Sequence, residues 1–327
     1  MQRRDFIKLL TGAAAGWPLV ARAQQPALPL IGLIRDGSAS TSARFVAGFR
    51  KGLNENGYIE GQNVTVEYYW LDGQYDRLPA VVDNLVRRQV AVIATPGNVP
   101  THAAKAATAT IPIVFGVGED PVKLGLVANL ARPGGNATGI NFFTSEVIGK
   151  RLRLVHDLMP KAIRVAVLVN PRNASVAEST LREAHGAAAS MGLQIQNHNA
   201  STIAEIDAAF AALARERPDA LFVAPDAFLV NRGVQLAALA KGDRIPAFFS
   251  VREPVEAGGL MSYGIDLAEM FRQVGAYTGR ILRGDKPADL PVLQAIKLEL
   301  VINLQTARAL GIEIPPGILS IADDVID

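Results

Sequence analysis

The chain contains no cysteine among its 327 residues. Disulfides, thiolate metal sites, a cysteine nucleophile and a lipidated N-terminal cysteine are therefore all excluded. Histidine is also scarce, and the spacing of His102, His156, His185 and His198 is not that of zinc ligands. We accordingly predict no metal site.

Catalytic signatures are missing as well, because the chain contains neither GxSxG nor GxxxxGK[ST]. The stretch GVGEDP (116–121) comes near the dinucleotide fingerprint GxGxxG. However, Pro121 stands where the third glycine belongs, and the stretch follows a fourth predicted strand instead of the first. No nucleophile with an adjacent base can be identified. We therefore predict no catalytic residues, no cofactor and no enzymatic activity.

The chain lacks an excess of either charge once its N-terminus is set aside. Residues 1–23 hold four of the 33 basic residues and one of the 31 acidic ones, which leaves 29 and 30. With a remaining net charge of about −1 and no long basic run, the sequence argues against a nucleic-acid or membrane-surface partner.

No hydrophobic run is long enough to span a bilayer, which takes about 20 apolar residues. The longest candidate near the N-terminus, residues 9–20, is interrupted by glycines and a proline. It follows QRRDFIK (2–8), which resembles the twin-arginine export signal, and precedes the small-x-small triplet that ends at Ala23. We predict a signal peptide over residues 1–23 and a bacterial protein that is soluble in the periplasm after cleavage.

Apolar runs and helical periodicity alternate along the first half of the mature chain. Phe45, Phe49 and Leu53 recur at helical spacing between the first two runs. The last two runs are continuously apolar, as in a parallel sheet covered on both faces. This alternation predicts βαβ units. The strand candidates are PLIGLI (29–34), NVTVEYYW (63–70), VAVIAT (90–95) and IPIVF (111–115).

The same alternation starts again after a helix predicted over about 145–158, so the sequence predicts an α/β protein with two similar doubly wound parallel-sheet lobes. The segment 131–143 carries the chain from the first lobe to the second. We interpret GGLMSYGID (258–266) as another crossing. A helix near 267–283 then returns to the first lobe, and KLELVINL (297–304) begins a final crossing. The strand candidates of the second lobe are RVAVLVN (164–170), LQIQNH (193–198), ALFVAP (220–225) and IPAFFS (245–250).

Polar, glycine-rich loops follow nearly every predicted strand. In an open α/β sheet the ligand lies beyond the carboxyl ends of the strands, so two lobes would direct these loops at one cleft. Hydroxyls and free N–H groups before helices suit an anion, second-lobe carboxylates suit a cation, and aromatic rings suit an apolar group. Helix capping, solvated surface positions and core packing are the respective alternatives. The candidates are Ser38, Ser40, Thr95 and Gly97 for the anion, Asp226 and Glu253 for the cation, Phe142, Phe228 and Tyr263 for the apolar group, and Asn170 on a further polar loop.

Characteristic segments are spread over residues 28–327. They are RFVAGFRKGLNENGYIEGQNV, AAKAATATIPIVF, DPVKLGLVANLARPGGNATG, EAGGLMSYGID, ILRGDKPADLPV and LVINLQTARALGIEIPP. These segments resemble the substrate-binding family of ABC importers that includes tryptophan- and tyrosine-type binding proteins. The resemblance implies a type I periplasmic binding protein fold, in which two lobes joined by three hinge crossings close on a small ligand. It implies two partners, a small-molecule ligand and an inner-membrane ABC permease, for a protein that we expect to be a monomer.

The resemblance also suggests where a ligand is held. Family members often show a PTDN-like segment where this chain has residues 225–228. The acid is kept at Asp226, but Ala227 and Phe228 replace a polar pair, which favours a ligand with an apolar part. In amino-acid-binding relatives the second-lobe loops hold the ammonium group, and the loops after the third and fourth strands hold the α-carboxylate. Here those latter loops supply Thr95, Gly97, Val117 and Gly118.

The predicted organisation places the first lobe in residues 24–141 and 265–290, and the second lobe in residues 142–264 and 291–327. The predicted function is that of a periplasmic solute-binding receptor for an amino acid, aromatic and branched ones included, or a related small organic molecule. The alternatives are a receptor for a sugar, nucleoside or organic acid, and an exported α/β enzyme. A ligand-responsive regulator would need a DNA-binding helix pair where this chain has a leader.

Export through the twin-arginine route can be tested by replacing Arg3 and Arg4 with lysine. We expect the precursor to remain in the cytoplasm, because the signal is read by a receptor and lysine does not reproduce the guanidinium fork. Cell fractionation measures the outcome, and normal delivery of the variant to the periplasm would contradict the prediction.

Overall fold

The computed structural model describes residues 28–142, 147–294 and 298–327. The predicted signal peptide lies outside the described residues. Of the helices that the structure describes, none combines the length and apolar character needed to cross a bilayer.

The first lobe is built on a five-stranded parallel sheet with the strand order β2-β1-β3-β4-β5. As the continuous apolar runs predict, β3 and β4 are buried along their whole length. Separate apolar clusters cover the two faces of this sheet. The strands are β1 Leu30–Arg35, β2 Thr65–Trp70, β3 Val92–Pro96, β4 Ile113–Val117 and β5 Ala137–Asn141, and the connecting helices are α1 Ala43–Asn54, α2 Leu78–Arg87 and α3 Asn98–Ala107.

The second lobe is built on a seven-stranded sheet with the order β12-β11-β10-β9-β8-β6-β7 and a core of its own. Five strands run parallel, and β11 pairs antiparallel with β10. The strands are β6 Arg164–Val169, β7 Gln194–Asn199, β8 Ala220–Val223, β9 Ala247–Phe249, β10 Met261–Ile265, β11 Leu298–Asn303 and β12 Asp324–Ile326. The helices are α4 Ile148–Leu158, α5 Ala174–Met191, α6 Ile203–Glu216, α7 Ala227–Asn231, α8 Gly233–Gly242, α9 Glu253–Glu256, α11 Leu304–Leu310 and α12 Pro316–Leu319.

The predicted architecture of two doubly wound lobes is confirmed, with one refinement at the crossings. Most of 258–266 and of 297–304, interpreted as crossing segments, forms β10 and β11 of the second sheet. Most of their apolar residues pack inside that lobe because β11 extends the sheet by antiparallel pairing, whereas Ile265 at the end of β10 packs in the first-lobe core. Contacts with the first lobe continue past residue 290, since the N–H of Leu293 donates to the carbonyl of Gly139 at 3.0 Å.

Helix α10 (Leu267–Leu282) follows β10 of the second sheet but packs on the first lobe, as predicted for the return helix. It lies against α1, and the two backbones touch at glycines. A Cβ atom on Gly52 of α1 would collide with the carbonyl of Arg272, and one on Gly275 of α10 would collide with the carbonyl of Phe49. This helix contact therefore requires glycine at both positions, because a larger side chain would push the two backbones apart.

The close contact between α1 and α10 predicts that one added methyl group at Gly52 destabilises the protein. Gly52→Ala should lower the free energy of unfolding by about 1–3 kcal/mol, because the backbone of α10 has to move away from α1. Gly186→Ala on the exposed face of α5 is the matched control, since no atom beyond the neighbouring backbone of its own helix lies within 4 Å of the added Cβ. It should raise stability by about 0.5–1 kcal/mol through helix propensity. Equal effects in denaturant titrations would contradict this description.

Candidate functional site

A cavity lies between the lobes, where the carboxyl ends of both sets of parallel strands face each other. The ends of β1, β3, β4 and β5 and the first turns of α10 form one side. The segments after β6, β8 and β9 form the other. The polar side chains of the wall are Arg35, Asn98, Asn173 and Ser250, and most other wall side chains are aliphatic or aromatic.

Three of the predicted residues, Gly97, Gly118 and Phe142, lie in the cavity wall. The hydroxyls of Ser38 and Ser40 instead hydrogen-bond each other at 2.9 Å in an exposed turn before α1. Ser38 also accepts a hydrogen bond from the N–H of Thr41 at 3.3 Å, so both hydroxyls are engaged within this turn.

Other first-lobe candidates are buried within the protein. The Thr95 hydroxyl accepts a hydrogen bond from Thr101 at 2.9 Å, and Val117 packs in the core on one face of the first sheet. Their backbones border the loops that reach the cavity, because Pro96 and Gly97 follow Thr95 and Gly118 follows Val117. The loops are therefore brought to the cavity, while these two side chains point elsewhere.

Asp226 sits at the centre of a buried polar cluster in the second lobe and is 1% exposed. Its carboxylate accepts hydrogen bonds from Asn170 at 3.0 Å and from Asn173 at 2.8 Å. It also caps α7 by accepting from the N–H groups of Phe228 and Leu229 at 2.9 and 3.2 Å. Asn173 lines the cavity and Asp226 does not, so Asp226 contacts the cavity only indirectly, through the amide of Asn173.

The remaining second-lobe candidates also have protein partners. Phe228 and Tyr263 pack in the second-lobe core, which is the alternative considered for aromatic residues. Glu253 accepts a hydrogen bond from Arg44 of α1 at 3.1 Å and so joins the two lobes at the surface. Burial is the main cause that raises the pKa of its carboxyl.

Arg35, which sequence reasoning did not single out, is the only charged side chain among the described wall residues. It ends β1, is 5% exposed, and stacks on Phe45 and Phe271 with its guanidinium carbon 4.2 and 5.1 Å from the ring centroids. Burial lowers the pKa of this guanidinium to about 10. Its position at the end of a strand is compatible with a place in the cleft. An arginine that ends an apolar strand is equally compatible with a place on the surface, so the sequence does not distinguish the two.

Asn98, Asn173 and Ser250 were also missed as individual residues. Each belongs to a loop that was predicted to face the cleft, after β3, β6 and β9 respectively. All three are 6% exposed. The loops could be identified from their position after strands, whereas the direction of each side chain depends on the packing around it.

Several contacts join the lobes directly across the cleft. The amide of Asn231 on α7 accepts from Arg35 at 3.0 Å and donates to the carbonyl of Asp36. Arg232 pairs with Asp72 at 2.8 Å. At another point Ser179 of α5 donates to Glu119 at 3.0 Å. The structure is therefore a closed arrangement of the two lobes.

Closure also brings two buried carboxyl groups into electrostatic contact. Asp36 of the first lobe accepts from the N–H of Gly73 at 2.8 Å and from the hydroxyl of Tyr75. Burial is the largest cause that raises its pKa. Burial also raises the pKa of Asp226 to about 6, and the charge of Asp36 adds to this shift.

The chain matches the model of a protein family described as ABC transporter substrate binding protein over residues 37–326. A tyrosine-binding protein of Clostridioides difficile (strain R20291) is 29% identical over 268 residues, which cover 81% of this chain and 76% of that protein. A conserved domain protein of Vibrio cholerae has a TM-score of 0.83 at 27% identity, covering 91% of this chain and 99% of its own. An ABC domain from Streptococcus pneumoniae in complex with L-Trp has a TM-score of 0.83 at 24% identity, covering 92% and 100%.

The raised pKa of Asp226 predicts a pH-dependent stability. The folded protein holds this proton more tightly than the unfolded chain does. The stabilising contribution of the carboxyl to the free energy of unfolding is therefore fully present below about pH 4 and is lost as pH rises through about 6. The free energy of unfolding of the wild type, minus that of Asp226→Asn, should therefore be larger at pH 4.5 than at pH 7.5, by about 1–2 kcal/mol. Denaturant titrations at both pH values measure it.

Asp219 provides the matched control. Burial opposes its charge, but hydrogen bonds from the backbone N–H groups of Arg164 and Ile163, both at 2.8 Å, hold its pKa below the ordinary value. Its stabilising contribution is lost only as pH falls below about 4, so the difference between the wild type and Asp219→Asn should be nearly equal at pH 4.5 and 7.5. The same pH response in both variants would contradict the assignment to Asp226.

Proposed function

Because the chain belongs to the family of ABC transporter substrate-binding proteins, we propose that it is a receptor that binds an amino acid or a related small organic molecule in the cleft between its lobes. The receptor delivers this ligand to an inner-membrane permease. The observation that carries the proposal is the cavity itself, whose wall is shared by both lobes and is closed by hydrogen bonds between them.

The composition of the wall supports a ligand with an apolar part. Phe142, Met270 and Phe271 on the first-lobe side face Val176 and Val230 on the second-lobe side. Burying apolar ligand surface against such side chains contributes about 25 cal/mol per Å². Aromatic or branched amino acids fit this environment, and the relatives named above include a tyrosine-binding protein and a domain in complex with L-Trp.

We assign the two charged ends of an amino acid to opposite lobes. On the first lobe, the carboxylate lies near the loops that contain Gly97 and Gly118. On the second lobe, the ammonium group is held near Asn173, with the carboxylate of Asp226 behind that amide at 2.8 Å. Glu253 is the alternative acid. Each lobe then holds one end of the ligand, so the complete set of contacts forms only when the cleft is closed.

The remaining parts of the proposal concern the whole protein. We propose that residues 1–23 are a cleaved export signal, that the mature chain acts as a monomer in the periplasm, and that it has no enzymatic activity. Residues 24–141 with 265–290, and 142–264 with 291–327, are the proposed lobes that move about the three crossings. Rotation of two lobes around a bound ligand is a common form of hinge closure.

Binding and closure can be tested together. L-tyrosine, L-tryptophan, L-phenylalanine and L-leucine are each added to the ligand-free protein. A ligand at 100 times its Kd should stabilise the protein by about 2.7 kcal/mol, and small-angle scattering should show a smaller radius of gyration.

Mass spectrometry of the same samples tests for turnover, and we expect the amino acid to be recovered unchanged. Stabilisation by a sugar or nucleoside, with none of the amino acids active, would overturn the ligand class. An unchanged scattering profile at saturation would overturn the hinge closure.

A further inference from the structure

Arg35 is a buried cation that faces the cavity without a carboxylate partner. Among the described residues no acidic oxygen lies within 4.0 Å of its guanidinium nitrogens, although the residue is only 5% exposed. A charge buried in this way is costly unless it is paired. An anion bound in the cavity would supply the counter-charge that Arg35 lacks.

The acids that lie closest are engaged elsewhere. Asp36, next in the chain, accepts from the N–H of Gly73 and from the hydroxyl of Tyr75. Glu253 is bonded to Arg44. Both acids favour the charged form of Arg35 only through space, and burial remains the dominant influence on its pKa.

The guanidinium is held in place but not saturated. It is stacked on Phe45 and Phe271, Nη1 donates to the Ser42 hydroxyl at 2.7 Å, and Nη2 donates to Asn231 at 3.0 Å. Two of its five N–H groups therefore have described acceptors. An oriented guanidinium with free donors matches the two oxygens of a carboxylate.

The neighbouring wall also suits a negative charge. Asn98 is the first residue of helix α3 and lines the cavity together with Gly97, which provides no side-chain cap for the helix. The partial positive charge of a helix N-terminus favours an anion at this point. Among the described wall residues Arg35 is the one cation and most other side chains are apolar, which suits a singly charged carboxylate with an apolar body.

We propose that Arg35 is the residue that selects a carboxylate ligand, by binding both carboxylate oxygens beside the start of α3. Asn231 bonds the same guanidinium from the opposite lobe, so closing the cleft orients the arginine at the moment it is enclosed with the ligand. The inference rests on the proposed function in needing a ligand in the cleft, but it does not require that ligand to carry an ammonium group.

The test compares ligands that differ only in the carboxylate or only in the amino group. Calorimetric titrations use L-tyrosine, L-tryptophan and L-leucine, their carboxamides, and the matching acids that lack the amino group. The wild type should bind at least one acid about 30-fold or more tightly than its carboxamide, the usual loss when one partner of a buried charge pair is removed. In Arg35→Met this preference should fall below about threefold, and Arg35→Lys should keep only part of it.

Arg50→Gln is the matched control, because Arg50 also stacks on an aromatic ring, that of Tyr68 at 5.5 Å, but lies outside the cavity wall and pairs with Glu60. It should keep the full preference for the acid. The comparison is a ratio of two affinities in the same folded protein, so a change in stability of Arg35→Met does not mimic the result.

The outcomes distinguish this inference from the proposed function. If acids without an amino group bind and the amino acids do not, the amino-acid ligand is wrong while the role of Arg35 stands. The inference is overturned if no acid in the set binds, if carboxamides bind as tightly as acids, or if the preference survives in Arg35→Met.

Discussion

The close contact between α1 and α10 determines how the two lobes are joined. Helix α10 starts two residues after the last residue of β10 in the second sheet, yet its length packs on the first lobe. Gly52 and Gly275 allow the two helix backbones to touch. Because α10 is held there, its first turns reach the cleft and place Leu267, Met270 and Phe271 in the cavity wall.

That placement has a direct effect on the charge of the cleft. Phe271 of α10 and Phe45 of α1 stack on each other at 5.3 Å, and Arg35 lies over both rings. The pair of helices thus builds an aromatic support for a buried guanidinium. On the opposite lobe the carboxylate of Asp226 is buried and is held by two asparagine amides and two backbone N–H groups. The closed cleft therefore has a cation in its wall on one lobe and a carboxylate behind Asn173 on the other.

The loops around the cavity follow from the strand pattern of the sequence, whereas the side chains that line it do not. The loops after β3, β4, β6, β8 and β9 all reach the cavity, as expected from the carboxyl ends of parallel strands. Within them, Gly97 and Gly118 lie in the cavity wall, while the side chains of Thr95 and Val117 are buried within the protein. Successive side chains along a strand point to opposite faces of the sheet. The sequence alone does not show which side chains of the following loop point into the cavity.

The sequence by itself determined the alternation of strands and helices, the two-lobed α/β architecture and the strand ends at which a ligand site would form. Local hydrophobic periodicity contains that information, because each strand and helix has to bury its own apolar residues. Only the tertiary structure decided that β10 and β11 complete the second sheet, that Asp226 caps α7, and that Arg35 is buried against two rings in the cleft. These features depend on residues distant in sequence, such as Asn231 and Phe271 around Arg35, whose meeting is fixed by packing and not by local pattern.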